Sequence, residues 1–207
     1  MDKASVDAAA EKTAARAHRA SGDDAPARAA RDAATAVDVA ALTLRQATRD
    51  DVPALLALRR ATMLPHLRSA GAPDDEASLL ARVEYRLEDA RLAYLGDELI
   101  GLFKAHEMKD AVDGADGEKD DAWMLVQVQI APARQGQGWG AALIGRLLER
   151  AAAEGRSVVL HVLKTNPARR LYERLGFAVE GESGNGLEYV MRWRPGRAAR
   201  RDAAAGT

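Results

Sequence analysis

The sequence predicts an α/β domain, with a mixed central sheet of about six or seven strands and helices on both faces. Three observations carry that prediction. Segments with strand-type and helix-type apolar spacing follow one another between residues 42 and 194 in the order β-α-α-β-β-β-α-β-α-β-β. Glycine or proline stands at most of the junctions between them. The chain contains no internal repeat, so solenoid and propeller architectures have no support.

Leu42 to Ala47 forms the first strand. Asp50 and Asp51 place negative charge at a helix start, Pro53 fits its first turn, and Leu55, Leu56, Leu58 and Met63 supply the apolar stripe. Leu79, Leu80, Val83 and Leu87 mark a second helix. Arg91 to Leu95 and Glu98 to His106 flank Gly96-Asp97, the pattern of a hairpin with a two-residue turn. Asp110 to Asp121 is polar and holds Gly114 and Gly117, so a loop is expected there. Trp123 to Ile130 is an apolar strand, and Gly138 to Glu154 a helix closed by Gly155. Ser157 to Leu163 is another strand, Pro167 to Leu175 a helix stopped by Gly176, and Phe177 to Glu182 and Leu187 to Trp193 finish the sheet.

The flanks differ from this core. Alanine makes up roughly two-fifths of residues 1–41, which lack aromatic side chains and nearly all large aliphatic ones. Such a segment buries too little apolar surface to offset its ordering entropy, so 1–41 and the tail 195–207 are expected to be disordered. Lys and Arg total 30 against 31 Asp and Glu. That balance supplies no whole-protein attraction to nucleic acid or to an anionic membrane. There is no cysteine, which excludes disulfides, thiolate metal sites and an enzyme thiol as nucleophile. No apolar run approaches the ~20 residues that span a bilayer. The expectation is a cytoplasmic protein, with monomer and homodimer both open.

The informative segment is Ile130-Ala131-Pro132-Ala133-Arg134-Gln135-Gly136-Gln137-Gly138-Trp139-Gly140, an apolar strand leading through alternating glycines directly into a helix. Glycine permits positive φ and close approach of a ligand to the backbone, and the first N–H groups of a helix face an anion such as pyrophosphate. A P-loop requires Gly-Lys-Ser/Thr, which Gly138-Trp139-Gly140 lacks. Gly136, Gly138 and Ala141 do satisfy G-x-G-x-x-A. A dinucleotide turn, however, belongs after the first strand with an acid ending the next one, and here several strands precede and the next ends at Lys164. A tight turn that binds nothing remains the plain alternative.

A third pattern fits better. Gln135-x-x-Gly138-x-Gly140, following Ile130-Ala131-Pro132, resembles the Q/R-x-x-G-x-G/A signature of the GNAT acetyltransferase family. About 30 residues on, Asn166-Pro167-Ala168 with Tyr172 and Gly176-Phe177 resembles the second motif of the same family, and Tyr189-Val190-Met191-Arg192-Trp193 is similar to the closing strand of bacterial members. The resemblance covers residues 42 to 194 and implies a GNAT-like fold and acetyl-CoA as acyl donor. It further implies that Val128, Gln129, Ile130 and Asn166 contact the pantetheine arm. Gln135, Gly136, Gln137, Gly138, Trp139, Gly140 and Ala141 would hold the pyrophosphate, with Arg169, and with Arg170 and Lys164, near the phosphates. Tyr172 would protonate the departing thiolate, for which a thiol of ordinary pKa near ~8.5 needs a donor at neutral pH. A strand amide at Val128 or Gln129 would polarise the thioester carbonyl.

One feature departs from the family pattern. Many members carry a glutamate on the strand before the glycine turn, whereas Trp123 to Ile130 holds no carboxylate and Val126 stands at the usual position. His161 and His66 are the replacement proton acceptors to weigh, His106 and Glu107 weaker ones, and a water chain would also serve. The acceptor wall is expected along Met63 to Glu84, with Met63, His66 and Tyr189 as substrate contacts. Asp74, Asp75 and Glu76 are either a solvated helix start or an attraction for a cationic amine. The expected reaction is direct acetyl transfer to a primary amine of a small molecule, with no metal. The alternatives are a protein or peptide acceptor, or an acyl-CoA-binding domain without turnover.

Overall fold

The computed structural model describes residues 39–112 and 119–196. The expected disordered segments 1–41 and 195–207 lie outside the described residues, apart from a single 3-10 turn at Val39–Ala41 and residues 195–196.

Seven strands form one sheet: β1 Leu42–Gln46, β2 Ala90–Leu95, β3 Glu98–Val112, β4 Lys119–Ile130, β5 Ser157–Leu163, β6 Ala178–Glu182 and β7 Glu188–Trp193. Their order is β1-β2-β3-β4-β5-β7-β6. Every adjacent pair is antiparallel except β4 and β5. The crossover between those two is α3, Trp139–Ala153. The other helices are α1 Val52–Ala70, α2 Glu76–Glu84 and α4 Arg169–Arg174.

The two faces bury separate apolar clusters. Leu55, Leu58 and Leu67 of α1 and Leu79 and Val83 of α2 pack on Leu92, Leu102 and Leu163. On the opposite face Ile144, Leu147 and Leu148 of α3 meet Leu125, Leu160, Val162 and Met191, with Tyr172 and Phe177 closing the end. These are the stripes that the helical spacing anticipates, buried against strand positions that alternate face by face.

Two caps and a turn follow from local chemistry. Gly71 ends α1 at φ +65°, where a Cβ would be strained. Asp75 caps α2 by accepting from the Ser78 backbone N–H at 3.0 Å. Gly96 turns β2 into β3 at φ +57°. The expected loop over 110–121 requires correction: β3 runs to Val112 and β4 begins at Lys119, paired Val112↔Lys119 and Ala111↔Asp120. A backbone ladder can extend a hairpin without apolar side chains, which is why polarity misplaced this boundary.

Candidate active site

The site begins where the sheet opens. β4 and β5 pair only from Ala122↔Ser157 to Leu125↔Leu160, after which β4 continues to Ile130 and β5 to Leu163 as separate edges. The cause is visible one strand away. Ala105 faces Leu125 and Lys104 faces Gln127, so Val126 is an extra residue in β4. Such a bulge bends its strand and reverses the phase of its side chains, turning Gln127 to the α1/α2 face opposite the one that Leu125 packs on.

A cleft of ≈ 710 Å³ lies on the α3/α4 side of this opening. At its floor, the N–H of Ala131 donates to the Ile100 carbonyl on β3. Alternation along the strand then points the amides of Ile130 and Val128 to the opened edge. Gln135 donates from Nε2 to the Ile130 carbonyl at 2.9 Å and so folds the turn back on the strand end. Gly136 and Gly138 have φ of +74° and +95°, a region that non-glycine residues seldom adopt. Gly138 leads into α3 without a side-chain cap, so the first N–H groups of that 15-residue helix face the cleft. Arg134 and Arg174 add positive charge to the lining.

Tyr172 stands where the cleft meets a second, smaller cavity. Its ring is buried and edge-on to Phe177, with centroids 5.9 Å apart. The hydroxyl makes no hydrogen bond among the described residues, and burial pushes its pKa up to about 12. It therefore keeps its proton at neutral pH and can give it to a strong base. Asn166 is fixed nearby by accepting from the Ala168 N–H at 2.9 Å.

The second cavity, ≈ 100 Å³, lies between the α1/α2 layer and the opened strands. Arg59, Arg82, Gln127, His161 and Glu188 supply its polar lining, and Met63 and Leu67 part of its apolar one. His161 Nδ1 is 3.5 Å from Glu188 Oε2, and that contact holds the Glu188 carboxyl below the usual range against the opposing effect of burial. Arg82 donates to the Val126 carbonyl at 3.1 Å, using the bulge as an anchor. Arg59 is 8 % exposed, and burial followed by the charge of Arg82 lowers its pKa to about 10. Behind them Lys104 is fully buried, its Nζ donating to the carbonyls of Val83 at 2.9 Å and Tyr85 at 2.6 Å.

Of the residues expected at the cofactor site, Val128, Gln129, Ile130, Gln135, Gly136, Gly138, Trp139, Gly140, Ala141 and Asn166 line the larger cleft together with Tyr172. Trp139 does so from the edge of a buried cluster with Leu42, Ile100 and Leu143. Gln137 folds onto the Ala133 carbonyl at 3.1 Å and does not line it. Arg169 turns away, paired with Glu173 at 2.7 Å and stacked 4.6 Å from the Tyr189 ring. Lys164 is held by Glu182.

On the acceptor side Met63 reaches both spaces, whereas His66 lines only the larger cleft. Tyr189 lines neither, because it packs beside the α3/α4 cluster. Its neighbour Glu188 lines the cavity instead, since successive strand residues point to opposite faces. Asp74 and Glu76 are paired with Arg68 and Arg60, and Asp75 is the α2 cap, which makes the acids a helix start. His106 contacts the Glu107 carbonyl at 3.0 Å, and Glu107 pairs with Arg156, both away from the cavity. Glu188, Arg59 and Arg82 escaped sequence reasoning, though a charged residue inside an apolar strand or helix stripe was the available signal.

Residues 56–177 match the model of the Acetyltransferase (GNAT) family. No curated protein matches the chain in sequence. Among solved structures, PH1933 from Pyrococcus horikoshii OT3 shares 19 % identity at a TM-score of 0.56, over 74 % of this chain and 98 % of that one. The PaiA N-acetyltransferase from Thermoplasma acidophilum, in complex with coenzyme A, shares 17 % at 0.54, over 74 % and 98 %. NAA60 from Arabidopsis thaliana, in complex with acetyl-CoA, shares 19 % at 0.52, over 74 % and 99 %. At such identities the likeness is one of fold.

Proposed function

The chain belongs to the acetyltransferase (GNAT) family, and from that premise we propose that it moves the acetyl group of acetyl-CoA to the primary amine of a small molecule. The observation that carries this reading is Tyr172, protonated and unpartnered at the point where a cleft with an uncapped helix start meets a smaller polar cavity. The cleft fits the donor chemically. The Gly136 to Ala141 turn offers backbone N–H groups to a pyrophosphate, Arg134 and Arg174 offer charge, and the free edge at Val128 and Ile130 offers hydrogen bonds to an amide-bearing arm.

Bound there, acetyl-CoA supplies an acetyl thioester. Val128 turns an N–H toward its carbonyl position, in the manner of an oxyanion donor. Glu188 would hold the acceptor ammonium, and the His161 imidazole beside it would accept one of its protons. The amine nitrogen would then form a bond to the acyl carbon while the carbon–sulfur bond breaks. Tyr172 would give its proton to the sulfur, and the second proton lost from the nitrogen would restore the Tyr172 hydroxyl through solvent, leaving the proton on His161 as the one released overall. The small cavity favours a small acceptor over a peptide segment.

Thermal unfolding with and without acetyl-CoA tests the donor site. Ligand at a hundredfold excess over its dissociation constant adds about 2.7 kcal/mol. That shift is expected in wild type and is expected to vanish in Gly138→Glu, with the variant's own cooperative unfolding transition showing that it is folded. No shift in wild type would end the reading.

A further inference from the structure

We infer that the acceptor carries a carboxylate beside its amine, and that Arg59 is the residue that binds this carboxylate. The inference rests on the proposed acetyl transfer and concerns the smaller cavity alone.

A guanidinium leaves water only when something replaces its lost hydration. Arg59 projects from α1 among the apolar residues Leu55, Leu56 and Leu58, and is 8 % exposed. Among the described residues it makes no hydrogen bond and no ion pair, and its buried Nε has no partner. Every other arginine that lines either cavity is less buried than this one or anchored: Arg82 donates to the Val126 carbonyl, and Arg134 pairs with Glu98. A planar donor array that is largely buried, with its Nε fully so and no hydrogen-bond partner at a cavity wall, matches a carboxylate, which accepts two parallel N–H bonds.

The rest of the lining agrees. Gln127 is 6 % exposed with neither its amide oxygen nor its amide nitrogen bonded, and the Gln129 oxygen is likewise buried and free. These groups belong to the one strand stretch that the bulge turns to this face. Arg82 and buried Lys104 raise the positive potential. Among the described residues Glu188 is the only carboxylate in the lining; it contacts His161 on the β5/β7 side and attracts Arg59 only through space, with no ion pair between them. The cavity is thus polarised, cationic toward α1 and anionic toward β7. A zwitterion with an amine and a carboxylate a few bonds apart complements both ends, whereas a simple alkylamine leaves Arg59 unpaired.

The test uses the full chain with coenzyme A present, and pairs of probes that differ only by the carboxylate: each standard amino acid against the amine left when its carboxyl is removed. Binding is read by thermal shift and calorimetry, turnover by thiol release from acetyl-CoA. At least one amino acid is expected to bind better than its partner amine by roughly 10- to 100-fold, the worth of a hydrogen-bonded charge. Arg59→Met is expected to erase that preference while leaving the coenzyme A shift intact, and Arg59→Lys to keep part of it. Loss of a buried unpaired charge does not threaten folding. Equal binding of amino acids and their partner amines, absence of binding by any of them, a preference that survives Arg59→Met, or equal acetylation of peptides with a free N-terminus and a blocked C-terminus would each overturn the inference. Failure of the coenzyme A shift in wild type would instead overturn the reading on which it rests.

Discussion

The donor cleft and the acceptor cavity share Met63, Val128, Gln129, Asn166 and Tyr172, yet they are built in opposite ways. The cleft is made largely of two contiguous segments, 128–141 and 166–175, and of backbone groups positioned by Gly136 and Gly138. The cavity takes one or two polar side chains from each of five elements: Arg59 from α1, Arg82 from α2, Gln127 and Gln129 from β4, His161 from β5 and Glu188 from β7. A site made of backbone demands particular residue types at fixed spacing and leaves a pattern in the chain. A site made of isolated side chains leaves none, and is free to vary with the acceptor.

Three experiments break or sharpen that contrast. The largest effect is expected from Tyr172→Phe, which removes a proton donor shared by both halves. Its kcat should fall by roughly 10²- to 10⁴-fold with the coenzyme A thermal shift unchanged. A normal kcat would mean that the thiolate leaves without this proton.

The second concerns the charge behind the cavity. Burial, with Arg82 and Arg59 adding repulsion, lowers the Lys104 pKa from 10.5 to about 8. Because the folded value lies below the unfolded one, the unfolded chain holds the extra proton between pH 8 and 10.5, and stability rises with pH across that window. The gain is about 3 kcal/mol by the linkage relation. Denaturant melts should show it in wild type and not in Lys104→Met, and a flat wild-type profile would refute it.

The smallest effect is expected from Glu188→Gln. The kcat/KM for the amine should fall roughly 10- to 100-fold, as for a lost charged hydrogen bond, with donor binding untouched. The Glu188 carboxyl is held below its ordinary 4.5 by His161. The contribution of that pair is therefore present above pH 4.5 and lost as pH falls through the lower folded value, so the variant should be less sensitive to acid unfolding. Equal acid sensitivity in the two proteins would show that the contact carries no weight.

Much of the fold was legible beforehand because apolar period and glycine position are local properties. The seven strands and four helices stand where spacing placed them, within a few residues. The boundary missed most widely, at 110–121, fell where ladder pairing between β3 and β4 replaces apolar content as the organising force. In the site the same division holds. Gly138 and Tyr172 belong to recognisable stretches, and both line the cleft. The chain points to Tyr189 and gives no sign of Glu188, because phase along a strand is a matter of one residue, and only pairing with β5, Leu163↔Glu188 and Val162↔Tyr189, settles which of the two faces the cavity.

What the chain alone determined is the order of its elements and the glycine turn, since both follow from the conformational limits of successive residues. The tertiary structure decided the wedge between β4 and β5, the bulge at Val126 that turns Gln127 and Gln129 inward, and the meeting of Arg59 with Glu188 across it. Those depend on register between strands and on burial between layers, and neither quantity exists until distant segments have packed.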